Sequence, residues 1–119
     1  ARLPEEYVNE VSLRMEIYQR LGEALSWEEV DAIWEEVQDR FGSAPEPAQW
    51  LYHLTRIRVF ASREGFTLLK HEKLSLTIEK SKGKDVELRK LLAPKYKTPE
   101  EMEIKILNEL KKPIRNNVG

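Results

Sequence analysis

The sequence predicts an α+β domain, with three N-terminal helices packed on a small, mainly antiparallel sheet of about three strands and a further short helix. Two patterns and a size argument support this prediction. Apolar residues recur at helical spacing from about residue 9 to residue 64, and beyond Gly65 they alternate with polar residues as in a half-buried strand. A chain of 119 residues can bury one core without disulfides, which indicates a single domain over residues 1–119.

The first helix is predicted from about residue 9 to residue 21. Its apolar residues Val11, Ile17 and Leu21 follow helical spacing. Gly22 is well placed to end this helix, because glycine readily adopts the left-handed conformation that often follows a last helical turn.

The second helix is predicted to begin at Ser26, which forms a capping box with Glu29. Gly42 provides its stop. One face carries an apolar stripe, formed by Val30, Ile33, Trp34, Val37 and Phe41. The other face is acidic and has no base before Arg40, its acids being Glu28, Glu29, Asp31, Glu35, Glu36 and Asp39.

Two of these acids, Glu36 and Asp39, lie near the C-terminal end of the helix, where the helix dipole disfavours negative charge. The local cost is small. Either Arg40 offsets it, or the two carboxylates have a partner of opposite charge. The simpler alternative is that both belong to a solvated helix face.

The stretch DRFGSAPEP, residues 39–47, is predicted to be a corner between the second and third helices. Phe41 is its apolar anchor and Gly42 its stop. Pro45 and Pro47 then start the third helix, since proline is favoured at the first helical positions. The buried stripe of that helix is predicted to be Trp50, Leu51, Leu54, Ile57, Phe60 and Ala61.

The elements predicted beyond Gly65 are shorter. Residues 66–80 are predicted to form a hairpin, with its turn near residues 71–72, and residues 85–93 a short helix. Residues 102–107 are ambiguous. The preceding TPEE segment indicates a helix start, whereas Met102, Ile104 and Ile106 alternate with charged residues at the period of a strand.

The composition excludes several classes of function. There are no cysteines, so a disulfide framework, a thiolate metal site and a cysteine nucleophile are all excluded. The chain shows no apolar run long enough to span a membrane and no signal peptide, and it begins with Ala1, which suggests a piece of a longer protein. The two histidines, His53 and His71, show no metal-binding spacing, and the glycines form no phosphate loop. No catalytic, cofactor-binding or metal-binding residue is therefore predicted.

The distribution of charge raises nucleic-acid binding as an alternative function. Residues 1–50 carry 12 acids and 4 bases, and residues 51–119 carry 9 acids and 16 bases. A basic surface could neutralise phosphates, but glutamates interrupt this one, and exposed aromatic residues for base stacking are not evident, with Tyr52 and Tyr96 as the remaining candidates. A solvated, lysine-rich sheet edge is the preferred interpretation of these bases, which are Lys70, Lys73, Lys80, Lys82, Lys84, Arg89, Lys90, Lys95 and Lys97.

Four separated motifs carry a resemblance to a known family. They are LPEEYV (residues 3–8), Arg14 with Tyr18, DRFGSAPEP, and LYHLTRIRVFASREGF (residues 51–66). Together they resemble the C-terminal domain of the bacterial transcription-repair coupling factor, Mfd. The resemblance is strongest over residues 2–66. It favours a strand for residues 102–107, and the family's longer terminal helix is not matched by the short tail NELKKPIRNNVG.

The resemblance implies a regulatory domain without its own catalysis. Members of the family are cytoplasmic, ATP-driven DNA translocases that dislodge stalled RNA polymerase and recruit nucleotide-excision repair, with ATP and magnesium bound in upstream domains. The C-terminal domain packs on an N-terminal module similar to UvrB, masks the surface that binds UvrA and restrains the motor. Matched by position, Glu36 and Asp39 would make that intramolecular contact. Arg40, Phe41, Gly42, Pro45 and Pro47 would form the supporting corner.

Overall fold

The structure, a computed structural model, describes residues 2–72, 75–82, 85–92 and 96–112. Within these ranges the chain forms four helices and a three-stranded sheet, and the prediction of an α+β fold is confirmed. In chain order the elements are α1 (Val11–Glu23), α2 (Trp27–Phe41), α3 (Glu46–Arg63), β1 (Phe66–Glu72), β2 (Ser75–Lys82), β3 (Asp85–Leu92) and α4 (Pro99–Lys111).

The start of α2 shows the local chemistry expected from the capping box. The Ser26 hydroxyl accepts a hydrogen bond from the Glu29 backbone N–H at 3.2 Å. The Glu29 carboxylate in turn accepts from the backbone N–H of Leu25 at 2.8 Å. The first bond satisfies a donor that the first helical turn leaves without an intrahelical partner, and the second holds the residue that precedes Ser26.

The three strands form an antiparallel meander in the order β1-β2-β3. Strand β1 pairs with β2 over the segment for which the sequence predicts a hairpin, and Leu69 lies opposite Ile78. Ile78 is buried and belongs to the hydrophobic core. The sheet thus contacts the helical core through Ile78 on β2 and half-buried Phe66 on β1.

The short helix predicted for residues 85–93 is wrong. Residues Asp85–Leu92 form β3 instead and pair with β2 along its length, with Arg89 opposite Ile78. The segment is rich in Leu, Glu, Lys and Arg, all of which have good helix propensity. Pairing with a neighbouring strand outweighs this weak local preference, because strand formation depends more on tertiary context than on intrinsic propensity.

Residues 102–107, which the sequence left ambiguous and the resemblance assigned to a strand, are helical. The segment lies within α4, which begins after Thr98, whose hydroxyl accepts from the Glu101 backbone N–H at 3.0 Å. Met102, Ile106 and Leu110 recur every four residues and are buried, whereas Ile104 is 59% exposed. The strand interpretation counted Ile104 as a core residue, and the helix turns it to solvent.

Among the described residues the core consists of two apolar clusters, both of which include residues of α3. The first cluster joins the N-terminal segment, α1, α2 and part of α3, and its buried residues include Val8, Ile17, Leu21, Val30, Ile33, Trp34, Val37 and Val59. The second joins α3, β2 and α4 through Ile57, Ala61, Ile78, Met102, Ile106, Leu107 and Leu110. Half-buried Trp27 packs against both clusters.

Candidate functional site

The corner between α2 and α3 holds the end of the acidic helix in a fixed position. Helix α2 ends at Phe41, and Gly42 follows with φ +91°, a conformation that favours glycine. The Tyr7 hydroxyl donates to the Gly42 carbonyl oxygen at 2.6 Å, and the Tyr7 ring meets the Phe41 ring edge-on at 6.0 Å between centroids. The N-terminal segment therefore braces the end of α2.

The rest of the corner is joined by hydrogen bonds to α2 and to the first turns of α3. Buried Ala44 donates its backbone N–H to the Gln38 side chain at 3.2 Å and accepts from the Gln49 side chain at 2.9 Å. Pro45 is the N-cap of α3, and Pro47 lies in its first turn and accepts from the Arg2 backbone N–H at 3.3 Å. Sequence reasoning missed Gln38 and Gln49, because glutamines bonding to a turn leave no periodic signal.

Arg40 lies at the end of α2, next to the two acids that the sequence singles out. Its guanidinium Cζ lies 5.3 Å from the centroid of the Phe41 ring. Its charge also contributes to lowering the pKa of Glu36, behind the larger effect of Arg20. Arg40 therefore offsets part of the unfavourable dipole at this helix end.

Glu36 has a partner that the sequence did not indicate. Arg20 reaches across from α1, and its Nη2 lies 2.7 Å from Glu36 Oε2. The hydrogen bond from Arg20, with its positive charge, lowers the pKa of Glu36 below its ordinary value. The pair lies at the surface, with the Arg20 side chain 39% and the Glu36 side chain 63% exposed. The Glu36 carboxylate is therefore exposed to solvent, but the guanidinium of Arg20 already compensates its charge.

Asp39 stands in a different environment one turn further along α2. Its side chain is exposed, and within the described ranges it has no hydrogen-bond or ion-pair partner. The two carboxylates that the sequence singles out are thus both at the surface, but Asp39 alone of the pair carries an uncompensated charge.

One acid of α2 turns away from the acidic face and towards α3. The Asp31 carboxylate accepts from the Tyr52 hydroxyl at 2.6 Å and from Arg56 Nη1 at 3.0 Å. Partial burial of the phenol, followed by its bond to Asp31, raises the pKa of Tyr52 to about 12. Asp31 therefore serves to join α2 to α3.

Asp31 is part of a polar cluster that the sequence did not predict, formed by Asp31, Tyr52, His53, Arg56 and Glu103 and called here the Arg56 cluster. Arg56 Nε donates to Glu103 Oε1 at 2.8 Å, and His53 Nδ1 lies 3.1 Å from the same oxygen. The His53 side chain is only 14% exposed, so most of it is shielded from solvent. The cluster ties α4 to α3 and α2. The sequence does not predict these contacts, because Glu103 lies in the segment whose helical conformation it leaves ambiguous.

Among the residues that the structure describes, no group of His, Cys, Asp and Glu could hold a metal ion. Within the same ranges no helix has both the length and the apolar character needed to cross a bilayer. The bases behind the nucleic-acid alternative lie mainly in residues 70–95. Lys80 and Lys97 are the members of this set whose side chains the structure describes: the Lys80 ammonium lies 5.0 Å from the centroid of the Phe66 ring, and Lys97 is exposed.

Fold and site together define a small α+β domain that presents a braced, acidic helix end. The same fold is found in a solved structure. The chain superposes on the crystal structure of a C-terminal domain of transcription-repair coupling factor with a TM-score of 0.63 and 22% sequence identity, covering 69% of this chain and 51% of that chain. At this identity the likeness is one of fold.

Sequence comparison identifies the family. The TRCF domain model matches residues 1–91, and the chain belongs to the TRCF domain family. The resemblance seen in the sequence motifs is confirmed, and the match ends before α4 begins.

The relatives are transcription-repair-coupling factors. The protein from Mycobacterium tuberculosis is 42% identical over 67 residues, which are 56% of this chain and 5% of that protein. The protein from Bacillus subtilis is 28% identical over 93 residues, 76% of this chain and 8% of that protein. The Escherichia coli protein is 32% identical over 77 residues, 65% and 7% respectively. The chain thus spans less than a tenth of the length of these relatives.

Proposed function

We propose that this chain is the non-catalytic, C-terminal regulatory domain of a transcription-repair coupling factor. In this proposal the parent protein is a bacterial cytoplasmic, ATP-dependent DNA translocase that removes stalled RNA polymerase and recruits nucleotide-excision repair. ATP and magnesium bind in its upstream domains. Family membership and the small share of the relatives' length that the chain spans support this assignment.

The domain acts by docking on the N-terminal, UvrB-like module of the same protein. Docking masks the surface of that module that binds UvrA and restrains the motor until RNA polymerase is engaged. In such a switch, binding at one site typically changes the affinity of the other site by about 5- to 150-fold.

The observation that carries the proposal is the position of Asp39. Its exposed carboxylate has no partner within the described ranges, and it lies one turn from exposed Glu36. A basic surface on the partner would compensate the charge of Asp39 and relieve its unfavourable place at the C-terminal end of α2. One exposed ion pair is worth little, so docking requires several contacts around this helix end.

The braced corner supports docking by holding the helix end in one geometry. Tyr7, Phe41 and Gly42 fix the end of α2 before any partner arrives. A preorganised surface loses less conformational entropy on binding than a mobile one, which favours a docked state built from weak contacts.

The test is charge reversal in the intact parent protein. Replacing Glu36→Lys and Asp39→Lys together is expected to raise basal ATPase activity and to strengthen UvrA binding, because the reversed charges repel a basic partner surface. Glu28→Lys, at the exposed start of the same helix, is the matched control and is expected to change neither. Wild-type values for both readouts in the double variant would rule out docking through this helix end.

A further inference from the structure

The Arg20–Glu36 contact divides the acidic face into two parts of different charge. Arg20 neutralises Glu36 from a neighbouring helix at 2.7 Å, whereas Asp39 has no such partner among the described residues. Arg20 itself also experiences the negative charge of Glu16, one turn earlier on α1. Because Arg20 already contacts Glu36, a basic group of a partner that approaches Glu36 meets the Arg20 guanidinium there.

That guanidinium competes electrostatically with any incoming cation. A carboxylate has lone pairs enough for two donors, so Glu36 could accept from both. Two like charges on one carboxylate nevertheless repel each other, and at the surface the repulsion is reduced by solvent but not removed. For an incoming cation, sharing Glu36 with Arg20 or displacing Arg20 is thus less favourable than binding a carboxylate that has no ion-pair partner.

We propose that Arg20 is an internal competitor for Glu36 that weakens docking of a basic partner and leaves Asp39 as the principal docking carboxylate. The proposal rests on the proposed function and deepens it by naming the residue that sets the strength of the closed state. The sequence alone gives no sign of this role, because Arg20 and Glu36 are 16 residues apart on different helices.

The experiment measures UvrA affinity in the intact parent protein. Arg20→Gln releases the Glu36 carboxylate and is expected to tighten docking. Since docking masks the UvrA site, the apparent affinity for UvrA is expected to fall about two- to fivefold, the range of a single exposed ion pair. Arg20→Lys keeps the positive charge beside Glu36 and is expected to stay near wild type. Arg63→Gln removes an exposed arginine from the end of α3 and is the matched control.

A second background separates competition from a merely structural role. In Glu36→Gln protein there is no carboxylate to release, so adding Arg20→Gln is expected to have no further effect on UvrA affinity. An equal effect in both backgrounds, or stronger UvrA binding by Arg20→Gln, would overturn the competitor role. If the double reversal of Glu36 and Asp39 opens the protein while Arg20→Gln changes nothing, the competitor role fails and the proposed function stands. If neither responds, both fail.

Discussion

The guanidinium of Arg56 lies over the indole ring of Trp27, with its Cζ 4.3 Å from the ring centroid, and the Trp27 indole N–H donates to the Arg56 carbonyl oxygen at 3.0 Å. The two residues thus hold each other through a cation–π contact and a hydrogen bond. The same guanidinium pairs with Asp31 on α2 and with Glu103 on α4. One side chain on α3 therefore contacts the two helices that pack beside it.

Replacing Arg56→Ala is expected to lower the free energy of unfolding by about 2 kcal/mol, because the Glu103 carboxylate would lose its hydrogen bond from Arg56 in a site where its side chain is only 14% exposed. Urea denaturation measures the change. Arg63→Ala, on the exposed end of the same helix, should stay within about 0.5 kcal/mol of wild type. Equal effects for the two variants would mean that the cluster adds nothing to stability.

Helix α4 gives a test of its own geometry. Ile106→Ala is expected to cost about 3 kcal/mol, because Ile106 is 1% exposed and its removal leaves a cavity in the second cluster. Ile104→Ala, two residues earlier and 59% exposed, is expected to change the free energy of unfolding by less than about 0.5 kcal/mol. Thermal or urea unfolding of both variants decides the matter, since a strand would bury the two side chains together.

Two glycines provide a matched pair at the corner and in α1. Gly42→Ala is expected to destabilise by about 1–3 kcal/mol, because φ +91° with ψ −177° is a region that is nearly restricted to glycine. Gly22→Ala is expected to stabilise by about 0.5 kcal/mol, since Gly22 does not end α1 as the sequence predicts but lies inside it, and a Cβ there meets no atom within 4 Å. A Cβ at Gly42 also meets nothing within 4 Å, so its cost is one of backbone conformation alone. Similar melting temperatures for the two variants would contradict this account.

Tyr52 gives a pH dependence of defined sign. Its pKa rises from 10.0 to about 12 in the folded protein, chiefly through burial and then through its hydrogen bond to Asp31. A group whose folded pKa is raised adds stability that is complete below the unfolded pKa and is lost as the pH rises through the folded one. The Tyr52 contribution is therefore expected to be intact below pH 10 and lost between pH 10 and about 12.

NMR of tyrosine labelled at ¹³Cζ measures this titration, and Tyr52→Phe assigns the signal. Asp31→Asn should leave most of the upward pKa shift in place, because burial is its larger cause. A return of the Tyr52 pKa to about 10 in Asp31→Asn protein would show that the carboxylate dominates instead.

The sequence predicts the elements whose signals are local. Ser26 with Glu29 marks the start of α2, and Gly42 marks its end, because capping and left-handed glycine are properties of adjacent residues. The strand β3 was missed for the opposite reason, since its conformation depends on pairing with β2.

At the candidate site the sequence identified the exposed acids but not their environments. Glu36 and Asp39 look alike in the sequence, and only the packing of α1 on α2 brings Arg20 to Glu36 and leaves Asp39 without a partner among the described residues. At α4, the TPEE start signal was correct, and the resemblance to a strand in the family misled because Met102 and Ile106 fit both periods. Ile104 is the residue on which the two interpretations differ.

Trp27 packs against both apolar clusters, although it is the first residue of α2. A side chain shared in this way makes the two clusters lose contacts together when either one opens. The N-terminal helices should therefore not melt as a unit separate from α3, α4 and the sheet, and the domain should show a single cooperative transition in which fluorescence and circular dichroism coincide. The indole of Trp27 would then be a natural reporter of that transition for the whole fold.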